Sequence, residues 1–279
     1  MSFSPATRRR ELAMALRGYR ERARLDSTKV SKQLGWDPSK ISRIESGRFR
    51  RINVRDVLDM LTLYGVDDPA ERERLAQIAR DSRAKGWWDQ YADVFKSELP
   101  NLEAGATIIR TYEILCVPGL LQTPGYAAAM FRGIGVLDDE AVARRVAARM
   151  ARQEIIVRDN PPQLHAVMDE AALRKSVGGP DVMREQIEHL VKLSDLPNVT
   201  IQLIPHSIGA HAAMTMSFTI MCFSAENAPI VYAEMPVSPV VMYKHEDVQS
   251  YALLYDRLMA TALFPEDTAA AMRSMAAGL

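Results

Sequence analysis

The chain has 279 residues, enough for two domains, and its 48% hydrophobic and 25% charged residues are the proportions of a soluble globular protein. No uninterrupted apolar run approaches the roughly 20 residues of a membrane span, and the Arg-rich start lacks the apolar stretch of a signal peptide, so the expectation is a cytoplasmic protein with no membrane partner. Charge balances at 35 Lys/Arg against 35 Asp/Glu, yet residues 1–55 hold 15 basic against 5 acidic side chains, a net +10 that the rest of the chain offsets. That asymmetry is what a phosphate-binding surface looks like.

In chain order, Leu12, Leu16, Tyr19 and Ala23 recur at spacings of four, three and four and predict a first helix. Asp26 can cap a short second helix that runs through Leu34 and stops at Gly35. A third has Asp37 as its cap, Pro38 at its first position, where a missing N–H costs nothing, and Gly47 as its end. Val57, Leu58, Leu61 and Tyr64 mark a fourth before Gly65; Asp67, Asp68 and Pro69 open a fifth that carries Leu75, Ile78 and Ala79. Five helices in about 80 residues make a compact all-α domain, taken here as residues 1–83.

The second and third helices, joined by a tight turn, are the informative pair. Val30, Leu34, Ile41 and Ile44 are available for a core, while Ser39, Lys40, Ser42 and Arg43 fall on the other side of the third helix. A helix of this kind fits the major groove, where Arg or Lys can chelate guanine O6 and N7 and short hydroxyl side chains reach base edges or phosphates. The candidate contacts to double-stranded DNA are Thr28, Lys32, Ser39, Lys40, Ser42 and Arg43, with Arg43 the first choice for a base. Arg48, Arg50 and Arg51 follow as phosphate contacts, which position a protein without reading sequence.

Residues 84–105 mix aromatics, charges and a proline and are expected to link two domains, with Trp87, Trp88, Tyr91 and Phe95 packing one on the other rather than stacking on a ligand. Residues 106–279 then alternate strand and helix signals. IIRTYEIL, QLHAVMDE, NVTIQLIP, MSFTIMCF and PIVYAEMP read as strands; Asp138–Arg158, Pro180–Leu196 and Asp247–Ala262 read as helices. The expected class is therefore α+β, an all-α helix-turn-helix domain followed by an α+β domain. Cys116 and Cys222 sit in apolar stretches and are expected as buried, reduced thiols.

Catalysis finds little support. His206 and His211 flank Gly209, with Glu234, His245 and Glu246 later, but the spacing matches no dense metal-ligand motif. No nucleophile with a base is marked, and SVGGP at Ser176–Pro180 lacks the Lys of a phosphate loop, so it reads as a turn and helix cap. No metal, cofactor or enzymatic activity is expected. A cleft between the VPGLLQTPGYA turn and the HSIGAH loop would make Gln122 and His211 its polar groups for a ligand or partner. Arg144, Arg145, Arg149 and Arg152 read as an exposed face making ion pairs with acidic neighbours.

The N-terminal residues resemble the Cro/cI-type helix-turn-helix regulators, also called the xenobiotic-response-element family. Arg20 and Glu45 match the buried pair that in that family ties the first helix to the recognition helix, which implies structural support. Pro38, Ser39 and Arg43 match base-reading positions, whereas Ser27 stands where many members carry a DNA-touching Gln. VPGLLQTPGYA, RMARQ, MDEAALRKSVGG, NVTIQLIPHSIGAH and LYDRLMATAL resemble the sensor-like C-terminal domain, of unassigned chemistry, found on such regulators in actinobacteria. The resemblance implies a transcriptional regulator, often encoded beside a small partner protein and so described as antitoxin-like.

The residues and the resemblance together predict a sequence-specific DNA-binding regulator, a repressor by resemblance, working as a homodimer that docks two half-sites. The alternative is an antitoxin-like interaction factor that restrains a small protein encoded by a neighbouring gene and uses DNA binding for autoregulation.

Overall fold

The computed structural model describes residues 5–47, 49, 52–83, 86–95, 97–136, 138–223, 228–235 and 238–279. Their contacts divide the chain into two compact units. The first is built on the residues up to Gln90 with Pro100–Gly105, the second on Tyr91–Leu99 and the described residues from Ala106 onward.

The first unit holds α1 (Pro5–Arg22), α2 (Ser27–Leu34), α3 (Pro38–Glu45), α4 (Val54–Leu63) and α5 (Pro69–Asp81). Each of the last four starts where a carboxylate or amide oxygen takes up an orphan N–H: Asp26, Asp37, Asn53 and Asp68 accept from Lys29, Ser39, Arg55 and Ala70. One core draws on all five helices, with Leu12 and Leu16 from α1, Val30 from α2, Ile41 and Ile44 from α3, Val57, Met60 and Leu61 from α4, and Leu75 and Ile78 from α5. At about 1.5–3 kcal/mol for each buried aliphatic side chain, this core outweighs the caps, each worth about 1 kcal/mol.

The segment expected as an aromatic linker is not structureless. Trp87–Tyr91 form a turn of 3-10 helix, in which the Trp87 and Trp88 rings meet edge to face at 5.8 Å, and Leu99–Gly105 form α6.

Among the described residues the second unit is built on a six-stranded sheet, in the order β3-β2-β1-β4-β5-β6. In chain order it contains β1 (Ile108–Glu113), α7 (Pro124–Gly133), α8 (Asp139–Gln153), β2 (Gln163–Asp169), α9 (Ala171–Arg174), α10 (Pro180–Leu193), β3 (Val199–Ile204), β4 (Phe218–Cys222), β5 (Ile230–Ala233), β6 (Val240–Met242), α11 (His245–Thr261) and α12 (Pro265–Ala277). The three strands connected through helices, β1, β2 and β3, run parallel, as long crossovers require, while β4, β5 and β6 are antiparallel neighbours. The fold is α+β.

Tyr112 sits opposite Val167 on one side and Phe218 on the other, so all three share a sheet face with Ile204, Ile220 and Val231. That face packs with Val248, Tyr255 and Leu258 of α11, and the Tyr255 hydroxyl donates to the His165 carbonyl at 2.8 Å. Leu164, Ala166, Met168, Ile201 and Leu203 alternate onto the opposite face and are buried too.

The outer edge of β3 is latched. Leu263 donates its N–H to the Leu203 carbonyl at 2.8 Å, Leu203 donates to Thr268 Oγ1 at 3.1 Å, and the Gln202 side chain donates to the Leu263 carbonyl at 2.9 Å. The sequence signals for this unit miss β6 and α12. Asp138–Arg158 shortens to α8 followed by a 3-10 turn at Glu154–Ile156, and no described helix is long and apolar enough to cross a membrane.

Thr268→Val keeps the shape of the side chain but leaves the buried Leu203 N–H without its acceptor. The expected cost is about 1–3 kcal/mol, read as a lower urea midpoint at unchanged slope in full-chain unfolding.

Candidate nucleic-acid interface

The turn between α2 and α3 is made by Gly35, whose φ of +66° places it in the left-handed region where a side chain would be strained. Gly35 N–H bonds back to the Lys32 carbonyl and Trp36 N–H to the Ser31 carbonyl, closing α2 before the chain reverses. Asp37 then caps α3, accepting from both the backbone N–H and the hydroxyl of Ser39, and these bonds hold its carboxyl below the usual range. Ile41 and Ile44 go into the core, and that choice alone turns Ser39, Ser42 and Arg43 outward to solvent.

Arg20 and Glu45 fix the far end of α3. Arg20 Nε donates to Glu45 Oε1 at 2.7 Å and its Nη2 to Oε2 at 2.8 Å, a fork on a fork, while Nη1 donates to the Leu25 carbonyl at 2.8 Å. One guanidinium thus joins α1, the chain entering α2 and the end of α3. With side chains only 14% and 9% exposed, this pair differs in kind from Arg17–Glu21, which is 62% and 54% exposed and worth about 0–1 kcal/mol.

Thr28, Lys32 and Arg43 are exposed, and the Arg43 guanidinium makes no hydrogen bond or ion pair among the described residues. Lys29 and Gln33, also exposed on α2, were not singled out from sequence, though their spacing of four puts them on one face. Lys40 departs from the expectation that it points outward with Arg43. Its Nζ lies 2.9 Å from Asp56 Oδ2 in the first turn of α4 and 3.6 Å from the centre of the Trp36 ring. Nothing local announces that contact, because Lys40 and Asp56 lie on different helices. Arg48, Arg50 and Arg51 lie outside the described residues.

In the second unit Gln122 and His211 belong to separate networks, and no hydrogen bond joins them among the described residues. Gln122 is 3% exposed; its amide donates to the Val117 carbonyl and accepts from Arg149, both at 2.7 Å. Gln153 bonds the carbonyls of Gly119 and Gln122, and Gln186 takes the Thr123 N–H and the Leu121 carbonyl. The residue expected to meet a ligand or partner thus also braces its own turn, with one donor and one acceptor bond of its side-chain amide made inside the unit. Arg149 reaches this brace, and Arg144 pairs with Asp93 at 3.0 Å.

His211 bonds Asp169 Oδ2 through Nε2 at 3.2 Å and meets the Tyr112 ring edge-on, while the His206 backbone N–H bonds Glu170. Among the described residues no group of three or more His, Cys, Asp or Glu is placed to hold a metal. At the SVGGP turn Gly178 has a φ of +73°, and a side chain there would meet the Ala129 Cβ at 2.9 Å, so the turn lets the chain pass close to α7 before α10 begins.

Residues 11–75 match a family profile described as a helix-turn-helix domain. Residues 97–274, well over half of the chain, match one described as a domain of unknown function, DUF5753. The chain belongs to the DUF5753 family. No match to the chain was found among curated proteins or among solved structures. The first unit is thus a helix-turn-helix domain of the DNA-binding kind, and the DUF5753 match covers the whole six-stranded sheet.

Within the DUF5753 domain, β1 ends in a half-buried acid. Burial raises the Glu113 carboxyl above its usual range against the opposing hydrogen bonds of Ser217 and Cys116. The Cys116 thiol donates to Glu113 at 3.6 Å and is pushed up to about 12 by burial first and the carboxylate second, so at neutral pH it stays protonated and inert. Cys116 and Cys222 are both free and half-buried.

Two outcomes follow from these geometries. Glu45→Gln removes the charge opposite Arg20 in a nearly closed site and should cost about 2–4 kcal/mol, seen in thermal unfolding, whereas Glu21→Gln should change stability by less than about 1 kcal/mol. Glu113 binds its proton more tightly folded than unfolded, so its contribution to stability is present at low pH and lost as pH rises through the raised folded value. Glu113→Gln should therefore melt above the parent chain at about pH 8, with the gap closing towards about pH 4.

Proposed function

We propose that this DUF5753 protein is a sequence-specific transcriptional regulator of the Cro/cI type, acting as a homodimer with α3 in the major groove of each half-site. One observation carries the reading. Ile41 and Ile44 bury one side of α3, and the side left outward presents Ser39, Ser42 and an Arg43 whose guanidinium makes no hydrogen bond or ion pair among the described residues. The match of residues 11–75 to a helix-turn-helix domain supports it, as does the net +10 of residues 1–55.

In this reading Arg43 reads a base, Ser39 and Ser42 contact base edges or backbone, and Thr28 and Lys32 of α2 meet phosphates beside the groove. Arg48, Arg50 and Arg51 add phosphate contacts after α3. Residues 1–83 form the DNA-binding domain and residues 106–279 a regulatory domain that supplies dimerisation and partner sensing. Dimerisation is argued from interface size, since a single recognition helix buries too little surface for tight operator binding.

Genomic fragments captured by the purified chain at two salt concentrations test the proposal. Inverted-repeat sites that persist at the higher salt are expected. Arg43→Ala should lose about 1–3 kcal/mol of discrimination at one base pair of each half-site. Diffuse capture, erased by salt and unchanged in the variant, would leave only electrostatic attraction and overturn the reading.

A further inference from the structure

Two cations stand one turn apart on α3, Lys40 and Arg43, and the structure treats them oppositely. Arg43 is exposed and makes no bond through its guanidinium among the described residues. Lys40 is pulled sideways across Trp36 to Asp56, with its ammonium 3.6 Å from the ring centre and 2.9 Å from the carboxylate. The side chains of Lys40 and Asp56 are 31% and 24% exposed, so the pair is partly shielded from water and salt. The indole face adds a second attraction for the same ammonium.

Resting on the DNA-binding reading, we propose that Asp56 is a specificity-determining residue: it holds Lys40 on Trp36 and withholds that charge from the DNA backbone. A lysine that meets phosphate adds affinity for every sequence alike. A lysine already neutralised by a carboxylate releases no counterion from DNA unless it first exchanges Asp56 for phosphate, and the exchange leaves Asp56 facing a polyanion. Holding Lys40 back therefore lowers non-specific affinity while Arg43 keeps its contact with base edges, which widens the ratio between operator and random DNA.

The test is the slope of log affinity against log salt for the full chain on a random-sequence duplex and on a captured operator, by fluorescence anisotropy. Four proteins are compared: the parent, Asp56→Asn, Lys40→Met and the double variant. Methionine keeps an unbranched apolar stem against Trp36 and removes only the charge.

Asp56→Asn should steepen the non-specific slope by about 0.9, the equivalent of one added phosphate contact, and narrow the ratio between operator and random DNA. Lys40→Met should leave the parent slope unchanged, and the double variant should return to it. The inference is overturned if Lys40→Met alone flattens the slope by about that amount, because Lys40 would then already be on a phosphate. It is equally overturned if the steepening persists in the double variant, since Asp56 would then repel DNA without acting through Lys40. A parent chain that discriminates operator from random DNA while Asp56→Asn changes nothing removes this inference alone. A parent chain that binds neither duplex removes the DNA-binding reading with it.

Discussion

The placement of α3 depends on the bidentate pair between Arg20 and Glu45. An isolated eight-residue helix is far below the length at which helices persist in water, so α3 exists only as far as its neighbours hold it. Ile41 and Ile44 fix its rotation about its own axis, Asp37 fixes its start, and Glu45 fixes its end on a guanidinium that also grips the Leu25 carbonyl. A methyl group can slide along an apolar wall at little cost. A fork of two N–H donors on two oxygens cannot, and this makes the pair a matter of angle as well as energy. The tilt of the polar side of α3 is inherited from α1 through this contact.

The second domain uses buried polar groups in the same way. Gln122, Gln153 and Gln186 take up the carbonyls of Val117, Gly119, Leu121 and Gln122 and the N–H of Thr123, around a single 3-10 turn at Gly119–Leu121. The string VPGLLQTPGYA thereby becomes intelligible as folding chemistry. Thr123 caps α7 through the Tyr126 N–H, while the Tyr126 hydroxyl returns to accept the Val117 N–H at 3.1 Å.

The helix-turn-helix domain was legible because its boundaries are written in single residues. Asp26, Asp37 and Asp68 each announce a start, and Gly35 a stop, without reference to anything distant. In the second domain the strands β1 to β5 are long and apolar enough to read, whereas β6 spans three residues and cannot display an alternation. The amphipathic pattern of α12 is diluted by its alanines, even though Pro265 and the acids behind it form a helix start. Site residues divide by the same rule. The outward position of Arg43 follows from helical periodicity, but the capture of Lys40 by Asp56 and of Gln122 by Arg149 joins separate elements, and periodicity carries no such information.

The latch of residues 263–268 over β3 also bears on how the chain keeps company with itself. Without that segment, the Leu203 N–H and carbonyl would face water as an open row beside Ile201 and Val199, a template on which another strand could crystallise. Residues 263–268 thus act as a seam allowance folded over a raw edge: once they have docked, the parallel side of the sheet offers no open backbone at Leu203 to a strand of another copy.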